Sequence, residues 1–264
     1  MGNTGTILTS VKGPVATISL NRPDVHHAIN MVMIRELIRA ITGFGESESI
    51  RIILLNAPGP NFSAGADLDW MRRGLNQGEE HLKKESSEMA GLFRIIWENP
   101  KVVVTAVQGN VLGGAIGLVA ASDLVIAEEG AQFSFSEVKL GLVPATIAPF
   151  VVRKTGKSLA SAWMLTGRAF TTAEARDGGL VHFVCGEGML EGETNRLLKD
   201  LLANGPEAMV EVKQMLRELS PDEDPGKIQK ETSEIIARFR ASKEGQEGMN
   251  AFFDKRKPGW HETE

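Results

Sequence analysis

Glu137 sits in the stretch AQFSFSEVKLGLVP (residues 131–144), with Phe133, Phe135, Val138 and Leu140 around it. An apolar neighbourhood raises a carboxyl pKa toward the range of a useful general base. A turn glutamate that merely caps the next segment has the same local pattern. A second candidate lies in VQGNVLGGAIGLVAASDLVIA (residues 107–127), where Gly109, Gly113, Gly114 and Gly117 follow the apolar run Val102–Val107. Glycine weakens helices, so its repetition at a strand-to-helix junction implies close backbone approach. A third is PNFSAGADLDWM (residues 60–71), a small-residue turn after the apolar run Ile52–Leu55. At such junctions the first backbone N–H groups of the helix lack partners and carry the positive end of the dipole. Two of them aimed at one point make an oxyanion hole; tight turn packing is the plainer alternative.

Other chemistries lack their residues. The spacing G-x-x-x-G-G-x-x-G is neither a dinucleotide fingerprint nor a phosphate loop, and Thr155-Gly156-Lys157-Ser158 lacks the leading glycine, which would fall at Val151. There is no H-E-x-x-H, no paired-cysteine spacing and no G-x-S-x-G elbow. The histidines (His26, His27, His81, His182, His261) are scattered and read as structural or exposed.

The elements that must position these residues alternate. Short β-branched runs at Ile7–Val11, Val15–Leu20, Ile52–Leu55, Val102–Val107, Leu124–Ala127 and Val181–Val184 read as strands. Helical patterns lie between them, which predicts an α/β domain with a partly parallel sheet. Beyond residue 186 strand signals stop, and 187–203, 206–218, 225–241 and 243–254 carry helical periodicity. The expectation is a core over 1–186 and a helical region over 187–264.

A net charge of −5, no tyrosine and 6% aromatic residues argue against a nucleic-acid surface. A lone cysteine, Cys185, excludes an internal disulfide. With no apolar run of about 18 residues and no leader pattern, a cytoplasmic protein without membrane contact is expected. The start also matches the loose acylation template M-G-x-x-x-[ST], which nothing else supports.

Taken in order, S-A-G-A-D-L, G-x-x-x-G-G-x-x-x-L with Ser122-Asp123, and F-S-x-S-E-x-x-L-G-L-V-P resemble the enoyl-CoA hydratase/isomerase (crotonase) superfamily. NRPDVHHAIN (residues 21–30) and GMNAFFDKRKPGW (residues 248–260) extend the resemblance over nearly the whole chain. It implies a spiral of ββα units, then a C-terminal helical trimerisation region, with trimers or hexamers. It implies an acyl-CoA thioester as substrate, coenzyme A being part of that substrate, and no separate cofactor or metal. Ala66 and Gly114 would offer the N–H groups that hold the thioester oxygen, and Glu137 would move the α-proton. Ala28, Ala64, Asp67, Leu68, Trp70, Gly113, Gly117 and Pro144 would line the substrate, joined by Phe252 and Lys255 from the late motif.

One position departs from the hydratase pattern. The family's first glutamate falls on Gly117, one helical turn beyond Gly114, where it would face the substrate's β-carbon. Isomerases of the family often keep only the second glutamate, so double-bond isomerisation rivals hydration; decarboxylation and thioester hydrolysis follow behind. S-A-G-A-D-L-x-W-M and S-E-V-K-L-G-L-V-P-A-x-I-x-P-F-V-V are similar to bacterial methylglutaconyl-CoA hydratases, and that resemblance implies a hydratase that dispenses with the first glutamate. The resemblance implies a branched, acidic enoyl-CoA whose own carboxylate orients water. Gly117→Glu is then expected to raise hydration of a simple ester such as crotonyl-CoA.

Overall fold

A computed structural model describes residues 5–220 and 224–261. The acylation template begins outside the described residues. The chain divides into two compact units, residues 1–194 and 195–264.

The first unit opens with β1 (Ile7–Lys12), β2 (Val15–Leu20), α1 (Met31–Glu46) and β3 (Ile52–Asn56). Then come α2 (Leu68–Gly74), α3 (Glu79–Glu98), β4 (Val102–Val107), β5 (Asn110–Leu112) and α4 (Gly114–Ala121). It continues through β6 (Leu124–Glu128), β7 (Gln132–Ser134), α5 (Ala148–Thr166), β8 (Ala169–Thr171), α6 (Thr172–Asp177) and β9 (Phe183–Cys185). Two sheets result: a six-stranded one ordered β1-β2-β3-β4-β6-β9 and a three-stranded one ordered β5-β7-β8. From β2 to β9 the large sheet is parallel. The repeat is a strand of the large sheet, a strand of the small sheet, then a helix, as in β4-β5-α4 and β6-β7-α5.

The six strands of the large sheet are the β-branched runs of the sequence. β4 is buried along its whole length, which is why it reads as an unbroken apolar run rather than an alternation. The small strands have three residues each, too short for any period to register. α4 (GAIGLVAA) is buried at every position, and no polar face marks it as a helix from its sequence.

α7 (Leu190–Leu202) crosses the division between the units, and α8 (Pro206–Glu218), α9 (Pro225–Ala241) and α10 (Lys243–Phe253) complete the second. Within it the Glu244 carboxylate accepts the Glu207 and Ala208 N–H groups at 2.8 Å each, supplying the N-terminal cap that Gly205 lacks. No helix among the described residues is long and apolar enough to cross a membrane.

Candidate active site

The loop carrying Ala66 is fastened to β5. Phe62 N–H donates to the Gln108 carbonyl (2.8 Å), Ser63 N–H to that of Asn110 (3.0 Å), and Leu112 N–H to that of Ser63 (3.1 Å). Gly65 completes the approach. Its φ is +85°, and a Cβ there would stand 2.7 Å from the Leu112 carbonyl oxygen, so only glycine fits. On the far side Ile29 N–H donates to Gly65 C=O (2.7 Å) and Asp67 N–H to Ile29 C=O (2.9 Å). Extended pairing alternates its direction, so these two bonds turn the N–H of Ala66 away from Ile29.

Gly114 is the first residue of α4, and its N–H is one of the donors that a helix start leaves open. Among the described residues neither Ala66 N–H nor Gly114 N–H has a hydrogen-bond acceptor. Gly113 N–H is different: it donates to the Ser134 carbonyl at 3.0 Å and so ties β7 to the start of α4.

That tie delivers Glu137. It lies in a 3-10 turn (Ser136–Leu140) directly after β7, and its Oε1 would be 3.2 Å from a Cβ on Gly113. Gly113 has φ +48°, so its missing side chain and its backbone conformation both serve this approach. The other carboxylate oxygen, Oε2, is buried without a hydrogen-bond partner. Burial therefore pushes the Glu137 carboxyl above the usual glutamate value, against a smaller opposing effect of its own backbone amide. The turn is braced from behind. Phe135 stacks on Phe170 (5.8 Å between centroids), and Phe170 lies face to face with Trp163 (4.0 Å).

The loop before α1 supplies the rest. Asp67 caps α2 by accepting Trp70 N–H at 2.8 Å, and it pairs with Arg22 Nη1 at 2.7 Å. Burial alone would raise its pKa, but the Trp70 amide and the Arg22 guanidinium outweigh burial and hold it below the usual value. Its carboxylate is thus committed inside the protein and leaves only backbone for a ligand. Arg22 Nη1 also donates to the Ala28 carbonyl (2.5 Å), and Ala64 N–H to that of His26 (2.9 Å). His27 is structural: Nδ1 accepts Arg22 N–H (3.0 Å) and Nε2 reaches the Pro58 carbonyl (2.8 Å). Leu68 is exposed, while the Trp70 indole donates to Glu85 on α3 (2.9 Å). Pro144 accepts Ala148 N–H at 3.0 Å and starts the turn into α5.

Gly117 departs from its expectation. A Cβ there would lie 2.5 Å from Ile147 Cγ2 and 2.5 Å from Phe93 Cζ, both core side chains. The direction in which a glutamate would project is filled, so Gly117 is a packing residue and not a vacated catalytic position. Gly114 differs, since its Cβ direction meets the flexible end of Met89 at 2.5 Å. Met89, Phe93 and Ile147 are the wall residues missed in the sequence. Their only signal is a helical apolar spacing that any core helix shows. Phe252 and Lys255 belong to the second unit; Phe252 is 78% exposed and Lys255 has φ +54°.

N–H groups without acceptors together with a desolvated carboxylate are the parts needed to stabilise an enolate oxygen while a proton moves at the neighbouring carbon. The enoyl-CoA hydratase/isomerase family profile matches residues 10–263, and the chain belongs to that family. An enoyl-CoA hydratase structure from Shewanella pealeana is 41% identical, covers 98% of this chain and 97% of its own, and superposes with a TM-score of 0.92. Mevalonyl-coenzyme A hydratase SIDH of Beauveria bassiana is 30% identical over 94% of this chain and 92% of its own. Trans-2-decenoyl-[acyl-carrier-protein] isomerase of Streptococcus mutans is 29% identical over 96% of each. The fold is the crotonase fold, and the family acts on acyl-CoA thioesters.

Proposed function

We propose that the protein adds water to, or removes it from, the Cα–Cβ bond of a branched, acidic enoyl-CoA of the methylglutaconyl type. The observation that carries this reading is Glu137: a desolvated carboxylate with one unpartnered oxygen, fixed against Gly113 and next to the free Gly114 amide. In the hydration direction Glu137 takes a proton from water as its oxygen bonds to Cβ. The π electrons move to the thioester oxygen, which the Ala66 and Gly114 N–H groups hold as the enolate. Glu137 then returns the proton to Cα on the same face. One carboxylate serves both proton transfers, and the substrate's own distal carboxylate orients the water. The sequence similarity to methylglutaconyl-CoA hydratases supports the acyl class.

The packing at Gly117 favours a second reading. With Phe93 and Ile147 filling the direction of a second carboxylate, Glu137 alone also suits double-bond isomerisation, in which the same proton leaves one carbon and returns to another. Incubation with a panel of enoyl-CoA esters in oxygen-18 water separates the two. Hydratase activity places the label on Cβ of a glutaconyl-type product; an unlabelled, shifted alkene establishes the isomerase instead. We further propose that the second unit, with Phe252 at 78%, Phe253 at 75% and Leu216 at 63% exposed, associates into trimers or hexamers. Sedimentation at micromolar concentration tests this, and a clean monomer contradicts it.

A further inference from the structure

We propose that Lys154 is a positioning residue of the oxyanion hole: its ammonium group, seated at the carboxyl end of α4, reinforces the positive end that α4 presents at Gly114. The inference rests on the enolate reading above and goes beyond it.

α4 is a short buried helix with no titratable residue of its own. Its last carbonyls need partners that the helix cannot supply. Ser122 Oγ donates to the Leu118 carbonyl at 2.8 Å, and Lys154 Nζ reaches across from α5 to that of Val119 at 3.2 Å. A cation at a helix carboxyl end is favourable, and inside a protein it is screened far less than at a surface.

Two titratable groups face Lys154. Asp123, in the turn between α4 and β6, favours the charged lysine, and its own Oδ2 accepts Val103 N–H at 2.7 Å. His182, just before β9, accepts Val125 N–H at Nδ1 (3.0 Å). Burial, helped by Lys154, holds His182 down to about 4, so it stays neutral at working pH. Burial likewise holds Lys154 down to about 8, against the pull of Asp123. The charge is therefore present at neutral pH and lost in mild alkali.

The helix rise puts the ammonium roughly 12 Å from the Gly114 amide. At an effective dielectric of about 20, a unit charge at that range changes the rate of enolate formation by about tenfold. Asp123 offsets part of this, leaving an expected three- to tenfold effect.

The test uses Lys154→Gln, which keeps an N–H donor without charge, and Lys154→Arg, which keeps the charge at all working pH values. Exchange of the α-protons of butyryl-CoA in heavy water is followed by NMR from pH 6.5 to 9.5, with KM and melting temperature alongside. In the wild type kcat should fall three- to tenfold through about pH 8 with KM unchanged. Lys154→Gln should sit at the low rate throughout, with no step, and Lys154→Arg at the high rate with no step. Unfolding does not mimic the wild-type step. The folded state binds the Lys154 proton less tightly than the unfolded chain, so this group adds stability as pH rises from about 8 to 10.5. The inference is overturned if Lys154→Gln matches the wild type at pH 7, if it keeps the step, or if its loss merely tracks the unfolded fraction. An inactive Glu137→Gln beside an unchanged Lys154→Gln removes this inference alone; an active Glu137→Gln removes the reading beneath it.

Discussion

Placing glutamate at Gly117 would restore the family's missing first carboxylate in sequence, and the structure says that the protein cannot accept it. A Cβ at Gly117 would stand 2.5 Å from Ile147 Cγ2 and 2.5 Å from Phe93 Cζ, and these side chains are 1% and 0% exposed. Alanine alone overpacks the site at a cost of about 1–3 kcal/mol. Its better helix propensity returns about 0.5–1 kcal/mol, leaving Gly117→Ala a net cost of about 0–2.5 kcal/mol. Glutamate adds an unpaired charge among apolar groups, several kcal/mol more, against a typical total stability of about 5–15 kcal/mol. Gly117→Glu should therefore lose its fold, and crotonyl-CoA hydration with it. A double-mutant cycle in urea locates the cause. Ile147→Ala alone should cost about 2–5 kcal/mol. Combined with Gly117→Ala it should cost about 1 kcal/mol less than the sum, because the new methyl enters the space vacated. Strict additivity, or a Gly117→Glu protein that melts like the wild type and hydrates crotonyl-CoA faster, would refute this account of the packing.

Glu137→Gln should lower turnover at least a hundredfold with CoA affinity intact, as calorimetry and steady-state rates can show. The same variant should be slightly more stable than the wild type at neutral pH. Glu137 has a raised folded pKa, so its stability contribution is full below the ordinary value of 4.5 and is lost as pH rises through the folded value. Equal urea midpoints for the two proteins at every pH would contradict the desolvated carboxylate. Asp67→Ala should cost about 2–4 kcal/mol by removing the α2 cap and leaving Arg22 unpaired. Because the Asp67 pKa is lowered, that stabilisation is present above the ordinary value of 3.8 and fades as pH falls through the folded value. The gap between variant and wild type in acid titrations should close accordingly. Gly65→Ala should reduce kcat at least tenfold, since φ +85° and the Leu112 carbonyl at 2.7 Å force the Ala66 amide out of place.

Much of this site is legible in the sequence, and what is not has physical causes. The large sheet could be read because its strands are five or six residues of β-branched side chains, apart from the short β9 at its edge. Small residues at strand-to-helix junctions singled out Gly113, Gly114 and Ala66, but tight turn packing gives the same pattern, and only the family resemblance implied a donor role for Ala66 and Gly114. The small sheet was hidden by its length. The stack of Phe135, Phe170 and Trp163 was hidden because its members lie on three elements with no shared period. Asp67 entered through the resemblance alone, and its sequence gives no sign that its carboxylate is taken by Arg22 and the Trp70 amide. Gly117 misled because a glycine where a relative carries glutamate suggests an empty place, and only the third dimension shows Phe93 and Ile147 already there.

The central claim is that Glu137 moves an α-proton while the Ala66 and Gly114 amides hold the resulting enolate. Exchange of the α-protons of butyryl-CoA in heavy water measures that step alone, whichever reaction follows it. Proline suits the first position of a helix, so Gly114→Pro removes the amide hydrogen with little harm to the backbone. Gly114→Ala keeps that hydrogen and asks only that the end of Met89 move aside. Wild type and Gly114→Ala should exchange at similar rates, Gly114→Pro about a hundred- to a thousandfold more slowly, and Glu137→Gln at the uncatalysed rate. Exchange that persists in Glu137→Gln, or runs undiminished in a folded Gly114→Pro, would contradict the account.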